Sequence, residues 1–90
     1  MQITIDIPDY DPLKGLPSKW VGDFEIDTSL TEDGEIVIWA NKDGLLSLAN
    51  DLLILAQDKV PAGHHHHYEP DYGLTENSIS LVICKRGQQS

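Results

Sequence analysis

The stretch Asn41-Lys42-Asp43-Gly44-Leu45-Leu46-Ser47-Leu48-Ala49-Asn50-Asp51-Leu52-Leu53-Ile54-Leu55-Ala56-Gln57-Asp58 decides the fold class. Asn41 carries a side chain suited to cap a helix that runs to about Asp58. Leu45, Leu48, Ala49, Leu52, Leu55 and Ala56 recur at i, i+3, i+4 and i+7, which predicts one apolar stripe turned to the core. Ser47, Asn50, Asp51 and Asp58 are expected on the opposite side, with Ile54 among them as an exposed hydrophobe. Val60-Pro61-Ala62-Gly63 stops the helix.

Everything on either side of this helix reads as strand or turn. Upstream, Asp33-Gly34 is a hairpin turn signal leading into the strand Glu35–Ala40. Trp20–Asp27 alternates, with Trp20, Phe24 and Ile26 on one side and Val21, Asp23, Glu25 and Asp27 on the other. Ile3, Ile5 and Ile7 alternate with Thr4 and Asp6, a first strand ended by Pro8. Residues 8–19 hold three prolines and a glycine and read as a loop. Downstream, His64–Tyr68 reads as a strand, Pro70-Asp71-Tyr72-Gly73 as a turn, and Ser78–Lys85 as the last strand, followed by a disordered tail over 86–90. The order is β-β-β-α-β-β. The expected fold is a single α+β domain over residues 1–90, with one amphipathic helix packed on one face of a mostly antiparallel sheet. Its predicted core is Ile3, Ile5, Phe24, Ile26, Ile36, Ile38, the helix stripe, Leu81 and Ile83.

Ninety residues can bury one modest core. The net charge is −9, and it is uneven: residues 1–35 hold nine acids against Lys14 and Lys19, whereas residues 36–90 carry only −2. Such a balance disfavours nucleic acid and anionic membranes as partners and suggests an acidic surface turned to a protein. No signal peptide is expected at Met1-Gln2-Ile3-Thr4, and the apolar run Leu52–Ala56 is far too short to span a bilayer. A lone Cys84 has no disulfide partner and suits a reducing compartment, so a cytoplasmic location is expected.

Four consecutive histidines, His64–His67, are followed by Tyr68-Glu69. On a strand, one pair (His64/His66 or His65/His67) faces inward and the other outward. The candidate metal ligands are His64, His65, His66 and His67, with Glu69 or Asp71 as an oxygen donor, yet at most two imidazoles share a face and zinc sites want three or four ligands. No metal or other cofactor is therefore expected. Catalysis on a phosphate would need Arg or Lys near these imidazoles, whereas Lys85 and Arg86 lie near the C-terminus and the surrounding surface is acidic. No nucleophile elbow, P-loop or dinucleotide fingerprint occurs, so no enzyme is expected.

The residues also resemble a family. The helix Asn41–Ala56, the stretch Val60-Pro61-Ala62-Gly63-His64-His65-His66-His67, and Tyr72-Gly73-Leu74-Thr75-Glu76-Asn77-Ser78 with Leu81-Val82-Ile83 are similar to the immunity protein 32 family of bacterial polymorphic toxin systems, over roughly residues 35–85. The resemblance implies an antidote that binds and neutralises a cognate toxin, with no catalytic residues of its own. The acidic surface suits a basic, nuclease-like toxin. The expected partner-binding set is Asp23, Glu25, Asp27, Trp39, His65, His67 and Tyr72. Two rival readings are a His-rich metal-binding protein and a small accessory subunit that self-associates, as a homodimer, through the open sheet face or Ile54.

Overall fold

The computed structural model describes residues 1–87. Strands β1 (Ile26–Leu30) and β2 (Ile36–Ala40) form a hairpin, helix α1 spans Lys42–Leu55, and β3 (His65–Pro70), β4 (Gly73–Leu74) and β5 (Leu81–Cys84) follow. The class is α+β, as the sequence indicates, but the strands fall into two sheets. One is the antiparallel β1-β2 pair; the other has the order β4-β3-β5, with β3 and β5 antiparallel. The loop 75–79 links them, because Thr75 N–H donates to Ile26 O and Ile79 N–H to Thr28 O along the outer edge of β1.

The hairpin turn forms where Asp33-Gly34 predicts it. Gly34 holds a φ of +85°, a left-handed conformation natural to glycine, and Thr31 N–H closes the turn on Glu35 O at 2.8 Å. Asn41 caps α1 by accepting from Gly44 N–H at 2.7 Å. Pro70–Gly73 also turns as expected, tied by Tyr72 N–H to Glu69 O at 2.8 Å and Glu69 N–H to Tyr72 O at 3.0 Å.

Other expectations fail. Among the described residues Ile3–Ile7 pairs with no strand, and Ile3 is exposed; an alternating pattern alone cannot supply a neighbour to bond with. The second predicted strand begins only at Ile26, so Trp20–Glu25 lies outside both sheets. Most consequentially, α1 is rotated from the expected orientation. Its buried residues are Gly44, Ser47, Asn50, Asp51, Ile54 and Leu55, while Leu45, Leu52 and Leu53 are exposed. Ile54, predicted to be exposed, is fully buried.

The core is correspondingly small. Ile26, Tyr68 and Leu74 pack with Phe24, Ala40, Leu48, Leu81 and Ile83. Tyr10, Leu55 and Val60 pack with Leu16 and Ile83. Ile36 and Ile38, assigned to the core from sequence, are exposed, because the hairpin face they share is buried on β1 at Ile26 and Thr28 but left uncovered on β2 and toward the turn at Leu30. Residues 8–19 contain a turn closed by Gly15 N–H on Asp11 O, and Tyr10 and Leu16 from this stretch enter the core. Of the predicted tail, Arg86 and Gly87 are exposed and irregular, and residues 88–90 lie outside the described residues.

Candidate functional site

The rotation of α1 has a clear chemical cause. The irregular segment Lys19–Glu25, which turns at Gly22-Asp23, has no strand beside it among the described residues, yet its backbone groups near the core need partners. The polar side chains of the helix provide them. Gly44 allows the approach: a Cβ at this position would lie 2.5 Å from Glu25 O. Asn41 Oδ1 accepts from Glu25 N–H at 3.0 Å while its amide donates to Asp23 O at 3.0 Å. Asp43 accepts from Asp23 N–H, Ser47 Oγ from Val21 N–H at 2.7 Å, and Asn50 donates to Lys19 O. Asp51, fully buried, accepts three bonds: Lys19 N–H at 3.0 Å on Oδ1, with Trp20 Nε1–H at 3.2 Å and Tyr68 O–H at 2.7 Å on Oδ2. Further along, Gln57 accepts from Tyr10 N–H and donates to Pro8 O. The polar face of the helix, its cap Asn41 and Gln57 just beyond its end thus do for Pro8, Tyr10 and Lys19–Glu25 what a neighbouring strand would otherwise do. Burial, the bond to Asp51 and its charge all push the Tyr68 hydroxyl well above its ordinary value near 10.

This network positions an aromatic group around β3. Trp20 packs against Phe24, with ring centroids 5.0 Å apart and the planes tilted by 56°, and meets Tyr72 edge-on at 5.4 Å. Trp20, Tyr72, Leu16 and Ser18 line a groove of about 260 Å³ whose other wall is His65–Glu69. Strand alternation separates the histidines. His66 is buried opposite Ile83, and its Nε2 has no hydrogen-bond partner among the described residues. His65 and His67 face outward with ring centroids 6.4 Å apart, and His67 Nε2 lies 3.2 Å from Glu69 Oε1. His64 belongs to neither set. Its Nε2 meets Tyr10 Oη at 3.1 Å, so it holds the N-terminal segment in place. Among the described residues, no group of three or more His, Cys, Asp or Glu is arranged to hold a metal ion.

The second cluster is the hairpin. Asp27 stands opposite Trp39 in the β1-β2 register, so the two share the outer face. Glu25, Asp27, Trp39, Ala40 and Asn41 line a hollow of about 220 Å³, and Trp39 is 69% exposed. Asp27 also accepts a bond from the Thr75 hydroxyl. Asp23 lies beside the helix N-terminus, its N–H bonded to Asp43. The seven residues singled out from sequence therefore form two groups: Asp23, Glu25, Asp27 and Trp39 around the hairpin, and His65, His67 and Tyr72 around β3. Sequence reasoning missed the Asp51 node and the roles of Tyr10 and His64. A usable signal was present in Asn41, Asp43, Ser47, Asn50, Asp51 and Gln57, a polar row with helical spacing of its own.

The fold and these two surfaces define a small acidic α+β domain with exposed aromatic and apolar groups on edge elements. The family model described as immunity protein 32 matches residues 35–86, more than half of the chain, and the chain belongs to that family. No curated protein and no solved structure matches it. Among the described residues, no helix is long and apolar enough to cross a membrane.

Proposed function

We propose that this protein is a stoichiometric inhibitor of a bacterial polymorphic toxin, which it neutralises by covering the toxin's working surface. Membership of the immunity protein 32 family carries this reading. The contact surface is the outer face of the hairpin, Glu25, Asp27 and Trp39 with Asp23 beside it, extended by His65, His67 and Tyr72. An exposed Trp among carboxylates is a fitting anchor for a cationic partner, since Trp carries hot-spot energy and acids steer association. The net charge of −9 favours a basic toxin, such as one that acts on nucleic acid. The protein works without catalysis and in the cytoplasm, where the unpaired Cys84 stays reduced.

The test is calorimetric titration, with EDTA present, against the toxin domain encoded beside the gene. Tight one-to-one binding is expected, weakened at least tenfold by combining Trp39→Ala with Glu25→Lys. Absence of binding by the unaltered protein would overturn the reading. Binding unchanged in the double variant would move the contact surface elsewhere.

A further inference from the structure

Among the described residues, one edge of strand β2 is unpaired. Thr31 N–H bonds Glu35 O and Asn41 N–H bonds Glu25 O at the two ends of the hairpin, so the bonded pairs between are Ser29/Val37 and Asp27/Trp39. The N–H and C=O groups of Ile36, Ile38 and Ala40 therefore point away from β1. On β1 the equivalent outward carbonyls are taken by Thr75 and Ile79. On β2, no described residue takes them.

Native edges are normally blunted by Lys, Pro, a bulge or a covering loop. Ile36-Val37-Ile38-Trp39-Ala40 has no charge, no proline and an unbroken register. Its two faces differ sharply. Ile36, Ile38 and Ala40 share one face with Leu30, whereas Trp39 shares the other with Asp27, and by alternation with Glu25 and Glu35.

We infer that β2 is where the toxin docks, by adding an extended segment of its own as a new strand on this edge. That segment alternates apolar and cationic side chains. The apolar ones lie against Ile36 and Ile38, and the cationic ones reach the hollow between Trp39, Glu25 and Asp27. Charge decides against a second copy of this chain as the occupant. The stretch 23–43 carries Asp23, Glu25, Asp27, Glu32, Asp33, Glu35 and Asp43 against Lys42 alone, so two copies would bring two strongly acidic hairpins side by side. The inference rests on the inhibitor reading and adds the mode of contact.

The test pairs a variant with a backbone measurement. Ile38→Pro removes an outward N–H and leaves the β1 ladder intact, because proline is tolerated on the free side of an edge strand. The expected result is binding to the adjacent-gene toxin domain weakened about tenfold or more. Amide exchange, read on the unaltered protein so that folding of the variant is not at issue, should show new protection at Ile36, Ile38 and Ala40 in the complex. If the unaltered protein binds but these amides gain no protection, strand addition is wrong and the inhibitor reading survives. If the amides are protected without toxin and sedimentation shows a dimer, a second copy occupies the edge and the inference falls. No binding at all would remove both.

Discussion

Replacing Asp51 with alanine is the sharpest test of how this helix is oriented. The helical periodicity places Asp51 in solvent, where a change to alanine alters stability by no more than about 0.5 kcal/mol. The structure places its carboxyl group at zero exposure, accepting from Lys19 N–H, Trp20 Nε1–H and Tyr68 O–H. Alanine orphans all three donors. An orphaned buried donor costs about 1–3 kcal/mol. Trp20 is 38% exposed and can turn its N–H toward water, so two donors bear the full penalty. The expected loss is about 4 kcal/mol, against a total of roughly 5–13 kcal/mol for a domain of this length. The reciprocal variant is Leu52→Glu. Leu52 belongs to the stripe that periodicity sends to the core, yet it is 45% exposed, and the expected change is under about 1 kcal/mol. Urea unfolding followed by circular dichroism measures both from the shift in midpoint at constant slope. A large loss in Leu52→Glu together with a negligible one in Asp51→Ala would refute the orientation and the network built on it.

Three further outcomes follow from the same geometry. Gly44→Ala gains helix propensity of at most about 1 kcal/mol, but its Cβ would meet the Glu25 carbonyl at 2.5 Å, a backbone atom that cannot swing aside; the melting temperature should fall by several degrees, and a rise would mean the segment is not held against the helix. The Tyr68 hydroxyl keeps its proton in the folded state above the value near 10 at which the unfolded chain loses it. The unfolded state therefore binds fewer protons there, and stability should drop by up to about 1.4 kcal/mol per pH unit above pH 10, a slope that Tyr68→Phe removes in alkaline denaturation. His66→Leu removes a buried Nε2 that has no partner and should raise stability by about 1 kcal/mol in the urea assay; a clear loss would mean the imidazole makes a bond, to water for instance, that supports the fold.

The sequence was legible where local chemistry alone sets the structure. The Asn41 cap, the Asp33-Gly34 turn, the Pro70–Gly73 turn and the alternation of His65, His66 and His67 are each decided within a few residues. The side of α1 that is buried was not legible. Leucine, isoleucine or alanine occupies positions 45, 46, 48, 49 and 52–56, so apolar residues cover most of the helix circumference and several stripes fit. What selects among them is the segment Lys19–Glu25, whose backbone demands polar partners; the polar row Asn41, Asp43, Ser47, Asn50, Asp51 and Gln57 has helical spacing, but nothing within the helix says that this row faces inward. The same gap explains Ile36 and Ile38. Alternation says which face they share, but their burial depends on whether another element covers β2. Of the candidate contact residues, the pairing of Asp27 with Trp39 follows from the hairpin register. The separation of the β3 group from the hairpin follows only from the division into two sheets.

The way α1 holds the N-terminal segment bears on how the chain can recognise a partner. Of the bonds linking the helix to residues 19–25, all but one are made to main-chain groups: Lys19 N and O, Val21 N, Asp23 N and O, and Glu25 N. The exception is the Trp20 indole on Asp51. A main-chain bond does not depend on which side chain the residue carries, so the dock constrains Trp20 and leaves the side chains of Asp23 and Glu25 free to face outward. The family match begins at residue 35, and the helix that does the holding lies within it, whereas the held segment lies before it. Anchoring by backbone is thus a physical means of carrying different surface charges on one scaffold. It places the acids next to β2, whose edge is unpaired, and not next to the buried node that keeps the domain folded. Changes at Asp23 and Glu25 should therefore alter partner affinity with little effect on the melting temperature, whereas changes at Ser47, Asn50 or Asp51 should do the reverse.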